Sequence, residues 1–212
     1  MKQRNLVMSR TKEKNRILKI YKLATGKETR QGLLWYEVAN YLASSIAEDL
    51  GVSPKTAIGV IAALSPNNQW SKNLIDARVL IEGFQNGLSQ EDTKVSTYHA
   101  MKAKAWSILE DDLSCHSSIL TRLNGRKIQS FYECISGFNG SCCIDGHARN
   151  IAYGERVPLT DKQTNVGVKE YSNLQESYYR AAQKVVIDGT TLKAHQMQAI
   201  TWVAWRRIHG IK

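Results

Sequence analysis

Apolar residues return every three or four positions through nearly every segment of this chain, a spacing typical of amphipathic helices. The longest such stripe has one apolar residue at every fourth position: Leu34, Val38, Leu42, Ile46 and Leu50. Gly51 follows this stripe as a stop signal. Alternating strand patterns are scarce, and residues 141–144 form at most a short extended connector. The sequence therefore predicts an all-α fold.

Turn and capping signals divide the chain into separate helices. Ser53 offers a capping hydroxyl and Pro54 suits the first helical position, so a helix is predicted to begin there. Thr97 is expected to cap another helix, and Asp188-Gly189 to form the turn between the last two. The helices predicted from these signals and from the apolar spacing cover residues 54–64, 71–84, 97–113, 169–187 and 190–208.

The charge of the chain is concentrated at its two ends. The net charge is +10; residues 1–30 hold ten Lys or Arg against two Glu, and residues 180–212 hold six against one Asp. Basic ends on a middle segment close to neutral suit a polyanion whose phosphates the termini would bind. The alternative is that these cations only solvate a surface helix and a tail.

A chain of 212 residues suits one domain, or two lobes that share one core. We expect residues 1–30 to form a basic N-terminal helix or arm and residues 31–212 to form a single domain. No apolar run approaches the ~20 residues that span a bilayer, so no membrane partner is expected. The cationic N-terminus lacks the apolar stretch of a secretory signal, which leaves the cytoplasm as the expected location.

Four cysteines, Cys115, Cys134, Cys142 and Cys143, show no paired Cys-x-x-Cys spacing. Reduced thiols are the simplest interpretation, because adjacent cysteines rarely bridge each other. Cys142, Cys143 and His147 could supply three metal ligands, but no fourth ligand accompanies them. We therefore expect neither a metal nor another cofactor.

Residues 123–147 include the side chains best suited to chemistry. A tight turn, Asn124-Gly125, precedes Arg126 and Lys127 and is predicted to open a helix that begins with cations. Further glycines then break the chain before Asp145, which lies eighteen positions after Lys127. The layout places an amine and a carboxylate at opposite ends of one short helix–loop unit, where both could face a single substrate.

This segment resembles the helix-hairpin-helix DNA glycosylase superfamily, and most closely its endonuclease III branch. Members of that branch carry a Gly-Arg-Lys hairpin, here residues 125–127, followed at the same spacing by an Asp-x-His turn, here residues 145–147. Upstream, residues 62–70 (Ala-Ala-Leu-Ser-Pro-Asn-Asn-Gln-Trp) are similar to the family's Leu-Ser-Ala-Gln loop, and the likeness covers roughly residues 55–155. The chain departs from the pattern at Leu123, where the family hairpin has its first glycine, and it lacks the C-terminal four-cysteine iron–sulfur site.

The resemblance implies two helical lobes with a helix-hairpin-helix unit and an interlobe cleft that Lys127 and Asp145 face. It implies a DNA glycosylase, with lyase activity where Lys127 attacks the sugar C1′ and forms a Schiff base. Such an amine needs a lowered pKa, which partial burial can provide. Asp145 would stabilise the positive charge that builds on the deoxyribose of an extruded nucleotide, and His147 would orient Asp145 or contact phosphate.

Each of these residues also has a structural interpretation. Asp145 can act as a helix N-cap by accepting backbone N–H bonds at His147 and Ala148, and the two roles can coexist. Lys127 can be a solvated residue in the first turn of a helix, where the helix dipole mildly opposes its charge. His147 can equally be a structural histidine.

Several other residues are predicted to contact DNA. The loop formed by residues 67–70 could fill the space that a flipped base leaves, or else form an ordinary turn with Trp70 packed inward. The hairpin and the cations of two further helices would contact the DNA backbone. The predicted nucleic-acid-binding residues are Asn67, Asn68, Gln69, Trp70, Asn124, Gly125, Arg126, Arg149, Arg206 and Arg207.

The C-terminal helix interleaves tryptophans with cations, a combination that suits stacking on bases and pairing with phosphates. At helical spacing, Trp202 and Trp205 cannot both face the apolar stripe of this helix. One of them is therefore expected in the core, and the other as an exposed platform or a cover for the active cleft.

Three functions remain open. The first is a glycosylase that acts on an extruded base or nucleotide of DNA. The second keeps the fold and changes the reaction, as in phage enzymes resembling this superfamily that displace pyrophosphate from activated 5-hydroxymethyluracil with an amine or amino acid; Lys127 would then hold the pyrophosphate. The third is a non-catalytic DNA-binding module. DNA is the partner in all three, a monomer is expected, and a phage-encoded protein would act in the host cytoplasm.

Overall fold

The computed structural model describes the backbone of residues 2–211 and the side chains of residues 11–211, and it confirms the all-α prediction. The described helices are α1 (Lys2–Lys22), α2 (Gly26–Leu50), α3 (Pro54–Leu64), α4 (Trp70–Gln85), α5 (His99–Glu110), α6 (His116–Leu123), α7 (Arg126–Ile135), α8 (Gly146–Tyr153), α9 (Val168–Ala182) and α10 (Ala194–Ile208). A short 3-10 helix, Lys162–Thr164, precedes α9, and two short strands, β1 (Val186–Ile187) and β2 (Thr190–Thr191), lie between α9 and α10.

The chain divides into two compact units. Unit 1 consists of Met1–Tyr36 and Phe138–Lys212, and unit 2 of Glu37–Gly137. Helix α2 begins in unit 1 and ends in unit 2. The units are divided after residues 36 and 137, and α1 belongs to the packed core of unit 1.

In unit 1, α1 packs against α8, α9 and α10. Ile17 and Ile20 of α1 are buried in one apolar cluster together with Tyr178 of α9 and Ile200 of α10. The buried carboxylate of Glu13 accepts a hydrogen bond from the Ser177 hydroxyl at 2.9 Å. The described side chains of α1 therefore form part of the folded unit.

In unit 2, α3 is the central helix and packs against α4, α5, α6 and α7. Its residues from Thr56 to the end of the helix are buried, in keeping with its almost wholly apolar sequence. Gly59 permits the close packing, since a Cβ at this position would lie 2.9 Å from Ile119 Cγ2. The remaining helices of the unit surround α3.

Several predicted helix boundaries are confirmed. The Ser53 hydroxyl accepts the N–H of Thr56 at 3.0 Å and so caps α3, and Gly51 ends α2 in the left-handed region with φ at 65°. The predicted cap at Thr97 is wrong, since α5 begins one residue later, after Tyr98. The Thr97 hydroxyl instead donates to the carbonyl of Pro66 at 2.8 Å.

The predicted apolar stripe of α2 is wrong in its first half. Leu34 and Val38 are 50% and 51% exposed. The buried side of α2 carries mainly small residues and one ring: Tyr36, Ala39, Ala43, Ile46 and Ala47. These positions keep the three- and four-residue spacing of a helix face, so the periodicity is correct although the chosen face is not.

The turn predicted at Asp188-Gly189 is present, but it joins two strands rather than two helices. Val186 pairs with Thr191 and Ile187 with Thr190 in an antiparallel hairpin. Asp188 and Gly189 both have positive φ angles, 48° and 75°, as the tight two-residue hairpin turn requires. As a result, α9 ends earlier and α10 begins later than predicted.

Within the described part of the chain, no helix is both long enough and apolar enough to cross a membrane. None of the four cysteines forms a disulfide there, and only Cys115 is exposed.

Candidate functional site

The segment that leads to Asp145 is buried and held by α9. The N–H of Ile144 donates to the Tyr171 hydroxyl at 3.0 Å, and Gln175 Nε2 donates to the carbonyl of Cys142 at 2.9 Å. The Tyr178 hydroxyl donates to the carbonyl of Ala148, in the first turn of α8, at 3.1 Å. These bonds come from successive turns of α9, so the position of Asp145 is set by buried contacts on both sides of it.

Asp145 is the N-cap of α8, which confirms its structural interpretation. Its Oδ1 accepts the N–H of Ala148 at 2.7 Å. The side chain is partly exposed, and among the ion pairs of residues 11–211 none involves it. The cap therefore fixes the position of a carboxylate that has no ion-pair partner among these residues.

The two tryptophans of α10 divide as predicted. Trp205 is 4% exposed and belongs to the core, whereas Trp202 is partly exposed. The Arg206 guanidinium stacks over Trp202, 4.5 Å from the ring centroid. The ring of Trp35 meets Trp202 edge-on at a centroid distance of 6.4 Å. Trp35 of α2 and Trp202 of α10 thus form one aromatic platform. The contribution of Trp35 was not indicated by the sequence.

His147 connects this platform to Asp145. It lies in the first turn of α8, and its ring contacts Trp202 at a centroid distance of 6.5 Å and an interplanar angle of 72°. We call Asp145, His147, Trp35, Trp202 and Arg206 the Asp145 site. It contains a fixed carboxylate, an imidazole, two indole rings and one cation within unit 1.

A close approach between α2 and α10 brings the two tryptophans together. A Cβ at Gly32 would lie 2.5 Å from the backbone N of Ile200 and 2.6 Å from its Cγ1. Only glycine fits there without moving a backbone. One turn further along α2, the Tyr36 hydroxyl donates to Gln198 Oε1 of α10 at 2.9 Å in a buried contact.

Two arginines predicted to contact DNA are engaged inside unit 1. Arg149 is 11% exposed in its side chain and lies 3.6 Å from Glu155 and from Glu170. Arg207 donates to Glu28 at 2.6 Å and to the carbonyl of Leu23 at 2.8 Å, and its hydrogen bond holds the pKa of Glu28 below the ordinary value. Both arginines therefore already serve as internal ion-pair partners.

The predicted hairpin in unit 2 is a two-residue turn between α6 and α7. Asn124 takes the left-handed conformation with φ at 38°, and Gly125 precedes α7 as its N-cap. Lys104 Nζ donates to the carbonyls of Leu123 and Asn124 at 2.6 and 2.9 Å, and burial lowers the pKa of Lys104. The end of α6 is therefore satisfied by a cation that sequence reasoning did not single out.

Arg126 and Lys127 occupy the first turn of α7, and both side chains are exposed. The partial burial that we expected to activate Lys127 is absent. Lys127 belongs to unit 2, whereas Asp145 belongs to unit 1. Joint action of the two residues on one substrate remains a prediction.

Asn68 of the predicted DNA-contacting loop has a structural partner. Its amide donates to Asp76 at 2.9 Å and to the carbonyl of Leu64 at 3.3 Å. Asp76 is fully buried and also accepts from Lys72 and from the N–H of Ser96. Burial alone would raise the pKa of Asp76, but these hydrogen bonds outweigh it and lower the pKa below its ordinary value.

The rest of this loop lies at the surface and beside the hairpin helix. Asn67 and Gln69 are exposed, and Asn67 takes a left-handed conformation with φ at 55°. Trp70 is partly exposed and meets Phe131 of α7 edge-on at a centroid distance of 6.2 Å. The loop and the helix that carries Lys127, far apart in sequence, therefore lie side by side in unit 2.

No group of three or more His, Cys, Asp or Glu side chains that could hold a metal ion occurs among residues 11–211. The trio of Cys142, Cys143 and His147 considered from the sequence is accordingly not assembled.

Comparison with known proteins identifies the family but not the reaction. Neither the curated proteins nor the solved structures gave a significant match. Residues 1–209 match the profile of DUF7178, described as a family of unknown function. Because the match covers nearly the whole sequence, the chain belongs to the DUF7178 family.

Proposed function

We propose that this protein is a DNA glycosylase-like enzyme that acts on an extruded base or nucleotide, with Asp145 as the catalytic carboxylate. One observation carries the proposal. Asp145 is a charged side chain fixed at the start of α8, without an ion-pair partner among the described residues and beside a partly exposed platform of two indole rings. A cap alone needs neither the platform nor the retained charge.

The chemistry of N-glycosidic cleavage fits this arrangement. As the bond to the base breaks, positive charge develops on the deoxyribose ring. A fixed anion stabilises that transition state more than the ground state, and it does so more strongly where water is partly excluded. The faces of Trp35 and Trp202 would stack on the extruded nucleotide, and Arg206 would pair with a phosphate.

Unit 2 would bind the surrounding DNA. The hairpin presents Arg126 and the first backbone N–H groups of α7, and a helix N-terminus is suited to phosphate. Asn67 and Gln69 are exposed on the neighbouring loop and would fill the space that the extruded base leaves. Asn68 would act indirectly, because its amide holds the loop on Asp76.

A second function is favoured by the exposure of Lys127. A Schiff-base lysine needs an amine that is deprotonated, and this side chain lacks the burial that would promote deprotonation. An exposed cation at the start of a helix suits an anion instead. In the transferase alternative, Lys127 would hold the pyrophosphate that leaves an activated 5-hydroxymethyluracil, and Asp145 would position the incoming amine.

One experiment tests both functions. The protein is incubated with duplexes that carry a panel of damaged or modified bases, and the products are analysed by nucleoside mass spectrometry with parallel borohydride trapping. A released base supports the glycosylase, and a trapped adduct that Lys127→Ala abolishes adds lyase activity. A new base mass from an activated 5-hydroxymethyluracil duplex supports the transferase. Binding with unchanged nucleosides throughout would leave a non-catalytic DNA-binding module and refute both enzymes.

A further inference from the structure

A group of cations lies where the end of α10 meets the segment after α8. An Arg156 guanidinium N–H donates to the carbonyl of His209 at 3.1 Å. The ring of His209 packs on Trp205 at a centroid distance of 3.9 Å. Arg206 lies on Trp202, which His147 also contacts. Two arginines and two histidines are therefore gathered around the same end of unit 1 that holds Asp145.

These arginines differ from their neighbours in having no carboxylate. Within the described residues, neither Arg156 nor Arg206 forms an ion pair. Arg149, on the helix before Arg156, and Arg207, next to Arg206 on α10, are both paired with glutamates. The fold therefore pairs Arg149 and Arg207 with carboxylates, whereas the charges of Arg156 and Arg206 have no such partner among the described residues.

His209 is exposed to the positive charge of its neighbours. Burial lowers the pKa of His209, and the charges of Arg156 and His147 lower it further. A bound anion would offset these positive charges. The group therefore has the electrostatic character of a site for an oxyanion, and a phosphate can accept hydrogen bonds from guanidinium and imidazole N–H groups together.

We propose that Arg156, Arg206, His147 and His209 form a phosphate-binding subsite next to Asp145. The assignment rests on the proposed function, since it places the sugar of the extruded nucleotide between the bound phosphate and the Asp145 carboxylate. That order keeps the two negative groups apart and aligns the reacting carbon with Asp145. In the glycosylase, the bound phosphate is a phosphate of the DNA backbone. In the transferase, a pyrophosphate bound here would be held by this subsite in place of Lys127.

Direct binding tests the subsite without any reaction. The imidazole resonances of His147 and His209 are followed by NMR while one of three probes is added: inorganic phosphate, pyrophosphate, or a short single-stranded oligonucleotide without terminal phosphates. We expect both histidines to shift saturably and to titrate at higher pH when the anion is bound. Preference for the oligonucleotide identifies a backbone phosphate, and preference for pyrophosphate identifies the leaving group. No saturable shift with any of the three probes would overturn the proposal.

Charge-neutralising variants separate the subsite from general electrostatic attraction. Arg156→Gln and Arg206→Gln should each weaken binding of the preferred probe by about tenfold, the effect expected from removing one charge-assisted hydrogen bond. Lys184→Gln is the matched control, since Lys184 is an exposed cation just after α9 and lies on neither α8 nor α10. Equal weakening by all three variants would contradict a defined subsite.

The result of the binding experiment does not depend on whether the protein has the proposed activity. If the probes bind as described and no duplex is processed, the subsite stands and the proposed reaction fails. If bases are released but the histidine resonances do not shift with any probe, the proposed reaction is supported and the subsite is refuted. Thermal melting of each variant excludes unfolding as the cause of an absent shift.

Discussion

In the proposed function, Asp145 would combine a structural and a catalytic role through separate properties of one side chain. Its Oδ1 caps α8 through the N–H of Ala148, while its charge has no ion-pair partner among the residues described. A cap contributes about 1 kcal/mol to helix stability. A fixed anion beside a developing positive charge contributes about 3–4 kcal/mol to catalysis. The two contributions can therefore be separated by removing the charge and keeping the oxygen.

Asp145→Asn makes that separation. We expect turnover to fall by about 10²–10³-fold, with DNA affinity and Tm close to those of the unmodified protein. Single-turnover kinetics, equilibrium binding and thermal melting measure the three quantities. Asp145→Ser is a matched control, because serine also caps helices without a charge and should be equally slow. Activity that survives in proportion to the folded protein would show that Asp145 is structural only.

His195 makes stability depend on pH. It is 8% exposed, and its ring meets Tyr36 edge-on at a centroid distance of 5.5 Å. Burial, aided by the charge of Lys193, lowers the pKa of His195 from 6.5 to about 4. As the pH falls below 6.5, His195 takes up a proton in the unfolded chain. In the folded chain it stays neutral until about pH 4. The free energy of unfolding should fall across this window by roughly 3 kcal/mol and level off below it.

His195→Phe tests this dependence. The substitution keeps an aromatic ring against Tyr36 and removes the titrating group. Urea unfolding is measured near neutral pH and near pH 4 for both proteins. We expect the stability of the variant to fall by roughly 3 kcal/mol less than that of the unmodified protein between the two conditions. Equal decreases would mean that the folded protein already accepts a proton on His195, contrary to its burial.

Residue roles that depend on near neighbours were predictable, and those that depend on distant ones were not. The cap at Asp145 involves an N–H only three residues away, and it follows from the local sequence. The pairing of Arg207 with Glu28 joins the two ends of the chain, so no local pattern indicates it. Arg207 therefore resembled a DNA contact in the sequence, although it links α10 to α2.

At the scale of helices, the packing of α2 on α10 depends on a missing side chain. Gly32 lets the backbone of Ile200 approach so closely that a Cβ would lie 2.5 Å from its backbone N. This approach places Trp35 against Trp202 and so completes the platform of the Asp145 site. A helix interior normally disfavours glycine by about 1 kcal/mol. Close packing of the two helices offsets that cost here.

Gly32→Ala should therefore destabilise unit 1. One added methyl group must push apart two backbones, and we expect the free energy of unfolding to fall by about 2–3 kcal/mol. Urea unfolding followed by tryptophan fluorescence measures this decrease and reports on Trp35 and Trp202. Gly26→Ala is the control on the same helix, since nothing lies within 4 Å of its added Cβ. That variant should be unchanged or slightly more stable, and a similar decrease in both would exclude steric contact as the cause.

The helix periods could be predicted from the sequence, but the choice of buried face on α2 could not. Hydrophobicity favoured Leu34 and Val38, whereas close packing selected the smaller Ala39 and Ala43. The Asp188-Gly189 turn was predicted by composition, yet strands of two residues are too short to show an alternating pattern. Element type was therefore predictable wherever the pattern was long, and it was missed where tertiary contacts decided.

At the scale of the whole molecule, the basic N-terminal segment is both structural and electrostatic. Ile17 and Glu13 of α1 are buried, whereas Lys12, Arg16 and Lys19 are exposed. The side chains of Lys2, Arg4 and Arg10, which add to the predicted basic arm, lie outside the described residues. Deleting residues 1–16 would remove cations and also the buried bond between Glu13 and Ser177. Substitution of the exposed cations is therefore the cleaner test of DNA binding.

Replacing Lys12, Arg16 and Lys19 together with glutamine should flatten the salt dependence of DNA binding. Each phosphate that the protein no longer neutralises lowers the slope of log K against log salt by about 0.9, so the slope should fall by up to roughly 3. The affinity at low salt should fall while Tm stays close to that of the unmodified protein, because the buried face of α1 is unaltered. The matched control removes three other exposed lysines of the same unit: Lys162, Lys169 and Lys184. If both triple variants flatten the slope equally, net charge alone explains the attraction to DNA. An unchanged slope in the α1 variant would show that Lys12, Arg16 and Lys19 do not contact DNA.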